Sequence, residues 1–231
     1  MHTQSDQKKP QCIGMIMDGN RRYAKERGLS SIEGHTEGYE KLKEVIGWMK
    51  EATIPHLIVY AFSTENWNRS EEEVGFLLSL LRRVLSEEIE QFNDEGVRLI
   101  CAGDMTRFPE DLQRLIVEAQ ERTKKNTEHT LVLGISYGGR AEILSAVNSL
   151  VQNSKTPIPE EVFSQALWTK DVPDPDIIIR TGGEKRLSGF LPWQSIYSEL
   201  FFPKTYWPAF SKEEFLTILD EFSARERRRG K

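Results

Sequence analysis

With 231 residues, 38% of them hydrophobic, the chain can bury one sizeable core, and a single domain over residues 1–231 is the default reading. Charged residues make up 29% and the net charge is −5, which removes any global pull toward nucleic acid. The two cysteines, Cys12 and Cys101, each sit in an apolar run, which excludes a disulfide framework or a metal-ligand spacing and suits a reducing cytoplasm.

The start, Met1 to Gln11, is polar, has no apolar core for a signal peptide, and reads as a disordered extension. The first predicted strand, Ile13–Met17, runs into Asp18-Gly19-Asn20-Arg21-Arg22. A helical stripe of Tyr39, Leu42, Val45, Ile46 and Met49 follows. The second strand, Leu57–Phe62, leads into Ser63-Thr64-Glu65-Asn66-Trp67-Asn68-Arg69. The longest predicted helix opens on a capping box, Ser70 to Glu73, carries Val74, Leu77, Leu78, Leu81, Leu85, Ile89 and Phe92 on one face, and stops before Gly96. Strand Val97–Ala102, a helix bearing Leu112, Leu115, Ile116 and Ala119, and strand Leu131–Ser136 come next. The stretch Asn153 to Pro159 is a loop. Strand Ile177–Arg180 then enters Thr181-Gly182-Gly183-Glu184-Lys185-Arg186-Leu187-Ser188, and a sixth strand lies near Leu200–Phe202. A second capping box, Ser211 to Glu214, opens the last helix, and the basic tail Arg225 to Lys231 reads by composition as a solvated terminus. No apolar run is long and uncharged enough to cross a bilayer.

Strands alternating with amphipathic helices predict one α/β domain with a parallel sheet. In such sheets ligands bind beyond the carboxyl ends of the strands, where the three polar clusters fall. Together they bring five arginines, whose forks match phosphate oxygens in pairs, so the crest suits a ligand with several phosphates. Glycines 19, 182 and 183 are expected to let backbone N–H groups approach those oxygens. Neither a P-loop nor G-x-G-x-x-G is present, so no nucleotide cofactor is indicated. Plainer roles compete: Asp18 as a helix cap, Glu73 as the partner in its capping box, Phe62 and Trp67 as core, His35 as a cap. Arg180 and Arg186 are harder to reduce to structure, because a buried strand ending in Arg before Thr-Gly-Gly seldom has only a packing purpose.

At this point Ile16-Met17-Asp18-Gly19-Asn20-Arg21-Arg22-Tyr23-Ala24, Gly34-His35, Tyr60 through Arg69, Tyr137-Gly138-Gly139-Arg140 and the block from Ile179 to Leu200 resemble, in order and spacing, the motifs of the cis-prenyltransferase (undecaprenyl diphosphate synthase-like) family. The resemblance implies a six-stranded, mostly parallel sheet surrounded by helices around a hydrophobic product cavity, in a homodimer. It implies an enzyme that condenses isopentenyl diphosphate onto an allylic diphosphate, farnesyl diphosphate by default, with Mg²⁺ held by Asp18 and Glu199. Gly19, Asn20, Arg21, Arg22, Tyr23 and His35 would contact the allylic diphosphate; Arg180, Arg186 and Ser188 would bind isopentenyl diphosphate. Asn66 is the position the family assigns to proton removal, in a loop with Ser63, Thr64, Glu65, Trp67 and Arg69. Arg228, in Arg228-Arg229-Gly230, resembles a terminal motif that reaches the partner subunit's site. The product would be a long polyprenyl diphosphate, by default the undecaprenyl carrier of cell-wall glycans, made in the cytoplasm and released by peripheral contact with the membrane. Ser31 stands where the family usually has arginine, Gly189 where bacterial members often have Asn, and Pro192 where Leu is common.

The same reading gives Leu77, Leu81, Leu85 and Ile89 as cavity lining or ordinary packing, and Phe62 and Trp67 as shelter for an allylic cation. Two other classes compete. A phosphatase with Asp18 as nucleophile would want a second Asp where Asn20 stands. A non-catalytic accessory subunit would be expected to lack residues such as Asp18, Asn66 and Arg180, which this chain keeps.

Overall fold

The predicted strands are rich in β-branched and aliphatic residues that must be covered on both faces, and a parallel sheet does this. The computed structural model describes residues 9–151 and 157–225. In chain order they form β1 (Cys12–Ile16), α1 (Asn20–Glu26), α2 (Ser31–Glu51), β2 (His56–Ser63), a 3-10 turn (Thr64–Asn68), α3 (Glu71–Ser86), α4 (Ile89–Asp94) and β3 (Val97–Ala102). After these come α5 (Glu110–Thr123), β4 (His129–Tyr137), α6 (Gly139–Val151), α7 (Glu160–Ser164), β5 (Ile177–Arg180), β6 (Glu199–Phe201) and α8 (Lys212–Ala224). The Arg228 tail lies outside the described residues, as do most of the Met1–Gln11 extension and part of the 153–159 loop. Of that extension, Lys9 to Gln11 are docked: Pro10 is buried and the Gln11 N–H donates to Asp176 at 2.7 Å.

The sheet order is β3-β4-β2-β1-β5-β6, and each of its five pairings is parallel, where the resemblance implied a mostly parallel sheet. Leu57 and Val59 enter the larger core with Leu42, Leu112 and Phe215, while Ile58 between them joins a smaller core with Val132 and Phe190 on the other face. Pairing of β2 with β4 slips between Tyr60 and Ser63, a bulge that re-aims the chain just before the 3-10 turn.

Two helix expectations are corrected. The helix opening at Ser70 ends at Ser86, and α4 restarts at Ile89; the longest helix is α2, of 21 residues. The break falls where Glu88 is engaged by Tyr39 Oη of α2 and by Arg83 and Lys43, contacts absent from any periodicity. The Ser211–Glu214 box is reciprocal, whereas at Ser70 only half of the box forms: Ser70 Oγ accepts from the Glu73 N–H, and the Glu73 carboxylate turns elsewhere.

Candidate active site

Connections from β1 go toward β2 on one side of the sheet, and the chain later crosses to β5 on the other, so the switch point lies between β1 and β5. Asp18 follows β1 and Arg180 ends β5, and they meet across that crevice: Arg180 Nη2 donates to Asp18 Oδ2 at 2.8 Å, and Arg22 Nη2 to Oδ1 at 3.0 Å. Burial pushes the Asp18 carboxyl up, but Arg180 and Arg22 outweigh it and hold it below the usual carboxylate range. Asp18 is therefore an ion-paired anion, not a helix cap; the cap of α1 is Gly19, at φ 114°.

A Cβ at Gly19 would stand 2.8 Å from the Tyr206 side chain. Gly19→Ala should therefore lower Tm by about 4–8 °C, combining the cost of a left-handed backbone with that overlap; a thermal melt that did not move would show that the loop has room to shift.

Arg180 is 5% exposed and its other nitrogen, Nη1, donates to the Arg186 carbonyl at 2.6 Å and to Ser188 Oγ at 2.8 Å. Arg22 Nη1 donates to the Gly182 carbonyl at 3.0 Å, and the Arg186 guanidinium pairs with Glu184 at 2.5 Å. The expected phosphate cradle at Gly182 and Gly183 is not formed: their N–H groups donate to the carbonyls of Thr205 at 2.8 Å and Pro203 at 2.9 Å. Their positive φ values, 84° and 77°, serve that folded-back loop instead.

A second charged knot lies beside the first. Glu73 Oε1 accepts from Arg69 Nη1 at 2.9 Å and from His35 Nε2 at 2.9 Å, and Oε2 pairs with Arg21 at 3.5 Å. Glu73 thus gathers α1, α2 and the end of the 3-10 turn, the contact its capping pattern concealed. Burial, helped by Arg69 and Arg21, holds His35 below the usual imidazole range against the pull of Glu73, so the ring is neutral at pH 7. His35 lies inside α2, whose cap is Ser30 in a reciprocal box with Glu33. Gly34 and Gly38 on α2 let α1 approach closely; a Cβ on Gly38 would overlap Asn20 Oδ1. Asn20 Nδ2 donates to the Met17 carbonyl at 3.3 Å, while its buried Oδ1 has no partner among the described residues. The Tyr23 ring is covered by the Arg27 guanidinium at 3.8 Å.

In the 3-10 turn, Asn66 Oδ1 accepts from the Ser63 N–H at 3.0 Å. Thr64 packs where a Cβ on Gly138 would fall, and Glu65 is exposed. Trp67 Nε1 donates to Ser136 Oγ at 3.1 Å, and its ring sits among Phe62, Phe108 and the Arg107 guanidinium. Trp67 is thus a prop for the turn, and only Phe62 of the two aromatics faces the cavity.

That cavity, about 110 Å³, opens beneath the crest and is lined by Met17, Asn20, His35, Ala61, Phe62 and Leu77 among other, mostly apolar, residues. Leu81 also lines it, but Leu85 and Ile89 are packing residues of the larger core. Asn20 and His35 belong to both rim and wall, so a charged head at the crest and an apolar tail below are joined in one site.

Asp18 and Glu199 do not converge within one chain. Glu199 is in register with Ile177 and hence Ile13, at the amino end of the strands, and pairs with Arg225 at 2.6 Å. It is thus roughly 15 Å from Asp18 along the strands and about 10 Å across two of them, far beyond a shared ion's reach. No cluster of three metal-ligating side chains occurs among the described residues.

Residues 16–230 match the family described as "Putative undecaprenyl diphosphate synthase". An isoprenyl transferase of Thermotoga maritima is 46% identical over 225 residues, spanning 96% of this chain and 97% of its own. Among solved structures, lavandulyl diphosphate synthase from Lavandula x intermedia, in complex with dimethylallyl diphosphate, superposes with a TM-score of 0.91 at 31% identity, covering 96% of this chain and 99% of that one. A probable undecaprenyl diphosphate synthase from Campylobacter jejuni gives 0.82 at 35% identity, covering 97% and 100%.

Proposed function

Because this chain belongs to the undecaprenyl diphosphate synthase family of prenyltransferases, we propose that it elongates an allylic diphosphate, farnesyl diphosphate in the first instance, by adding isopentenyl diphosphate units in cis. The observation that carries this reading is the rim of arginines and Asp18 set directly over an apolar cavity, with Asn20 and His35 common to both. A diphosphate head and a hydrocarbon tail require that juxtaposition. The allylic diphosphate bound by the lavender relative agrees with it.

In each cycle the allylic C–O bond breaks, a C–C bond forms to the terminal carbon of isopentenyl diphosphate, and a proton leaves as a new double bond closes. Negative charge builds on the departing diphosphate, where Arg21, Arg22 and Arg69 meet it. Arg180, with Ser188 and Arg186, holds the second diphosphate so that its double bond faces the electrophile. Mg²⁺ fits Asp18 as a lone protein carboxylate, because this ion takes the rest of its shell from phosphate oxygens and water. When bound it supplies neutralisation of the diphosphate charge. Glu199 joins such a site only from a second copy of the chain, and the exposed Leu200 of the edge strand β6, with Ile196 and Tyr197 just before it, favours a homodimer. A phosphatase reading is disfavoured by Asn20, which stands where such an enzyme wants its second Asp. The product is taken to be undecaprenyl diphosphate for cell-wall glycans, and to leave by peripheral contact, since no described helix is long and apolar enough to cross a membrane.

Incubating the chain alone with farnesyl diphosphate, labelled isopentenyl diphosphate and Mg²⁺, then sizing the product, tests the proposal; an inert chain would restore the accessory-subunit reading. Asn66 acts by position, since a neutral amide is a poor base and its oxygen already holds the turn. Asn66→Asp and Asn66→Ala should both lower turnover about 10²-fold with substrate affinity retained. Unchanged turnover in both would remove Asn66 from the chemistry.

A further inference from the structure

Outside the knots already described, the most buried carboxylate among the described residues is Glu142 of α6, 1% exposed, and none of their cations is paired with it. Its Oε1 accepts from the Trp168 N–H at 3.0 Å; its Oε2 accepts from Tyr137 Oη at 2.5 Å and from Gln194 Nε2 at 3.0 Å. Burying a carboxylate with hydrogen bonds but no counter-charge costs several kcal/mol, so its retention calls for a purpose. Burial also pushes the Glu142 carboxyl up despite these donors. Gln194, 3% exposed, closes the loop that begins at Arg186 and Ser188, and its second N–H donates to Thr169 Oγ1 at 2.7 Å.

That loop does not rest in a relaxed conformation. Ser188 and Leu191 both have φ of 50°, a region non-glycine residues seldom occupy, on either side of Gly189 at 80°. Its middle is clamped by the Gly139 N–H to the Gly189 carbonyl at 2.8 Å and by Phe190 stacked on Tyr60 at 5.0 Å. Its start meets Arg180 through Ser188 Oγ and the Arg186 carbonyl. Among the described residues, the Glu142–Gln194 bond is the side-chain hydrogen bond that ties the loop's far end to α6.

We propose that Glu142 and Gln194 form a tether that holds the 186–194 loop in its strained shape and thereby sets the affinity of the site for the second, isopentenyl diphosphate, without either residue touching it. Both are positioning residues. The inference rests on the prenyl-elongation reading above, which assigns Arg186 and Ser188 to that substrate.

Gln194→Ala cuts the tether and leaves Glu142 its bonds to Tyr137 and Trp168. It should raise KM for isopentenyl diphosphate about tenfold, the equivalent of one charge-assisted hydrogen bond, with KM for farnesyl diphosphate within about twofold. Glu142→Ala should do the same, and the double variant should match the singles instead of multiplying them. Tyr137→Phe removes a donor from the same carboxylate oxygen and the acceptor of the Leu191 N–H but spares the tether, and should move KM for isopentenyl diphosphate by no more than about threefold with KM for farnesyl diphosphate in place. Should Glu142→Ala fail to fold, Gln194→Ala against Tyr137→Phe decides the matter. The proposal is overturned if Gln194→Ala leaves KM for isopentenyl diphosphate unmoved, or if both KM values rise together in Gln194→Ala and Tyr137→Phe alike. An inactive wild-type chain would instead defeat the elongation reading itself, a distinct outcome.

Discussion

Asp18→Ala should lower the rate of condensation by about 10²- to 10³-fold, the loss met when one electrostatic contact to a reacting group is removed. In the folded chain this carboxylate accepts from Arg180 at 2.8 Å and Arg22 at 3.0 Å, so it is anionic and oriented before any substrate arrives. Asp18→Asn separates charge from shape. If charge is what matters, the amide should be nearly as slow as alanine, and both variants should respond poorly to added Mg²⁺, while a chelator silences the wild type. An asparagine variant that elongated at the wild-type rate would sink the assignment. The pair also has a pH signature. Because the folded pKa is depressed, its stabilisation is fully present above the ordinary carboxylate range and fades as pH falls through the lowered value. Acid unfolding followed by circular dichroism should lose that component in Asp18→Asn.

The second large effect is expected at Arg180. Its guanidinium reaches Asp18, the Arg186 carbonyl and Ser188 Oγ at once from a position that is 5% exposed. A lysine keeps the charge but is a point donor on a flexible stem and cannot span three acceptors in a plane. Arg180→Lys should cut kcat/KM for isopentenyl diphosphate about 100-fold, the worth of one or two charge-assisted hydrogen bonds to a buried group. Steady-state kinetics corrected for folded fraction, alongside thermal melts, distinguish the alternatives. A lower Tm with unaltered kcat/KM would make Arg180 a strut.

The strands were legible because each is a mostly apolar run, interrupted by Arg98 in β3 and closed by Arg180 in β5, and the rule that ligands gather at strand carboxyl ends placed Asp18, Arg22 and Arg180 together. What remained hidden depends on partners distant in sequence. The stripe through Leu85, Ile89 and Phe92 stays in phase across the break at Glu87 and Glu88, so periodicity alone could not reveal that Tyr39 would claim Glu88. Glu73 carries the pattern of a cap yet spends its carboxylate on His35, Arg69 and Arg21. Gly182 and Gly183 read as phosphate donors until Thr205 and Pro203 were seen to take their N–H groups. The place of Glu199 stayed hidden for a simpler reason: its motif neighbours Ser198 and Leu200 give no strand register, and register is what puts it at the opposite end of the sheet within one chain.

The rim arginines each face an internal acid: Asp18 for Arg22 and Arg180, Glu73 for Arg21 and Arg69, Glu184 for Arg186. An unshielded group of such cations would scavenge nucleic acids and other stray polyanions. Here an arriving anion has to compete with resident carboxylates, which a solitary phosphate does poorly and a chelating pair of phosphates does well. Selectivity by exchange follows, and with it an affinity that depends on ionic strength less steeply than the number of arginines alone would suggest.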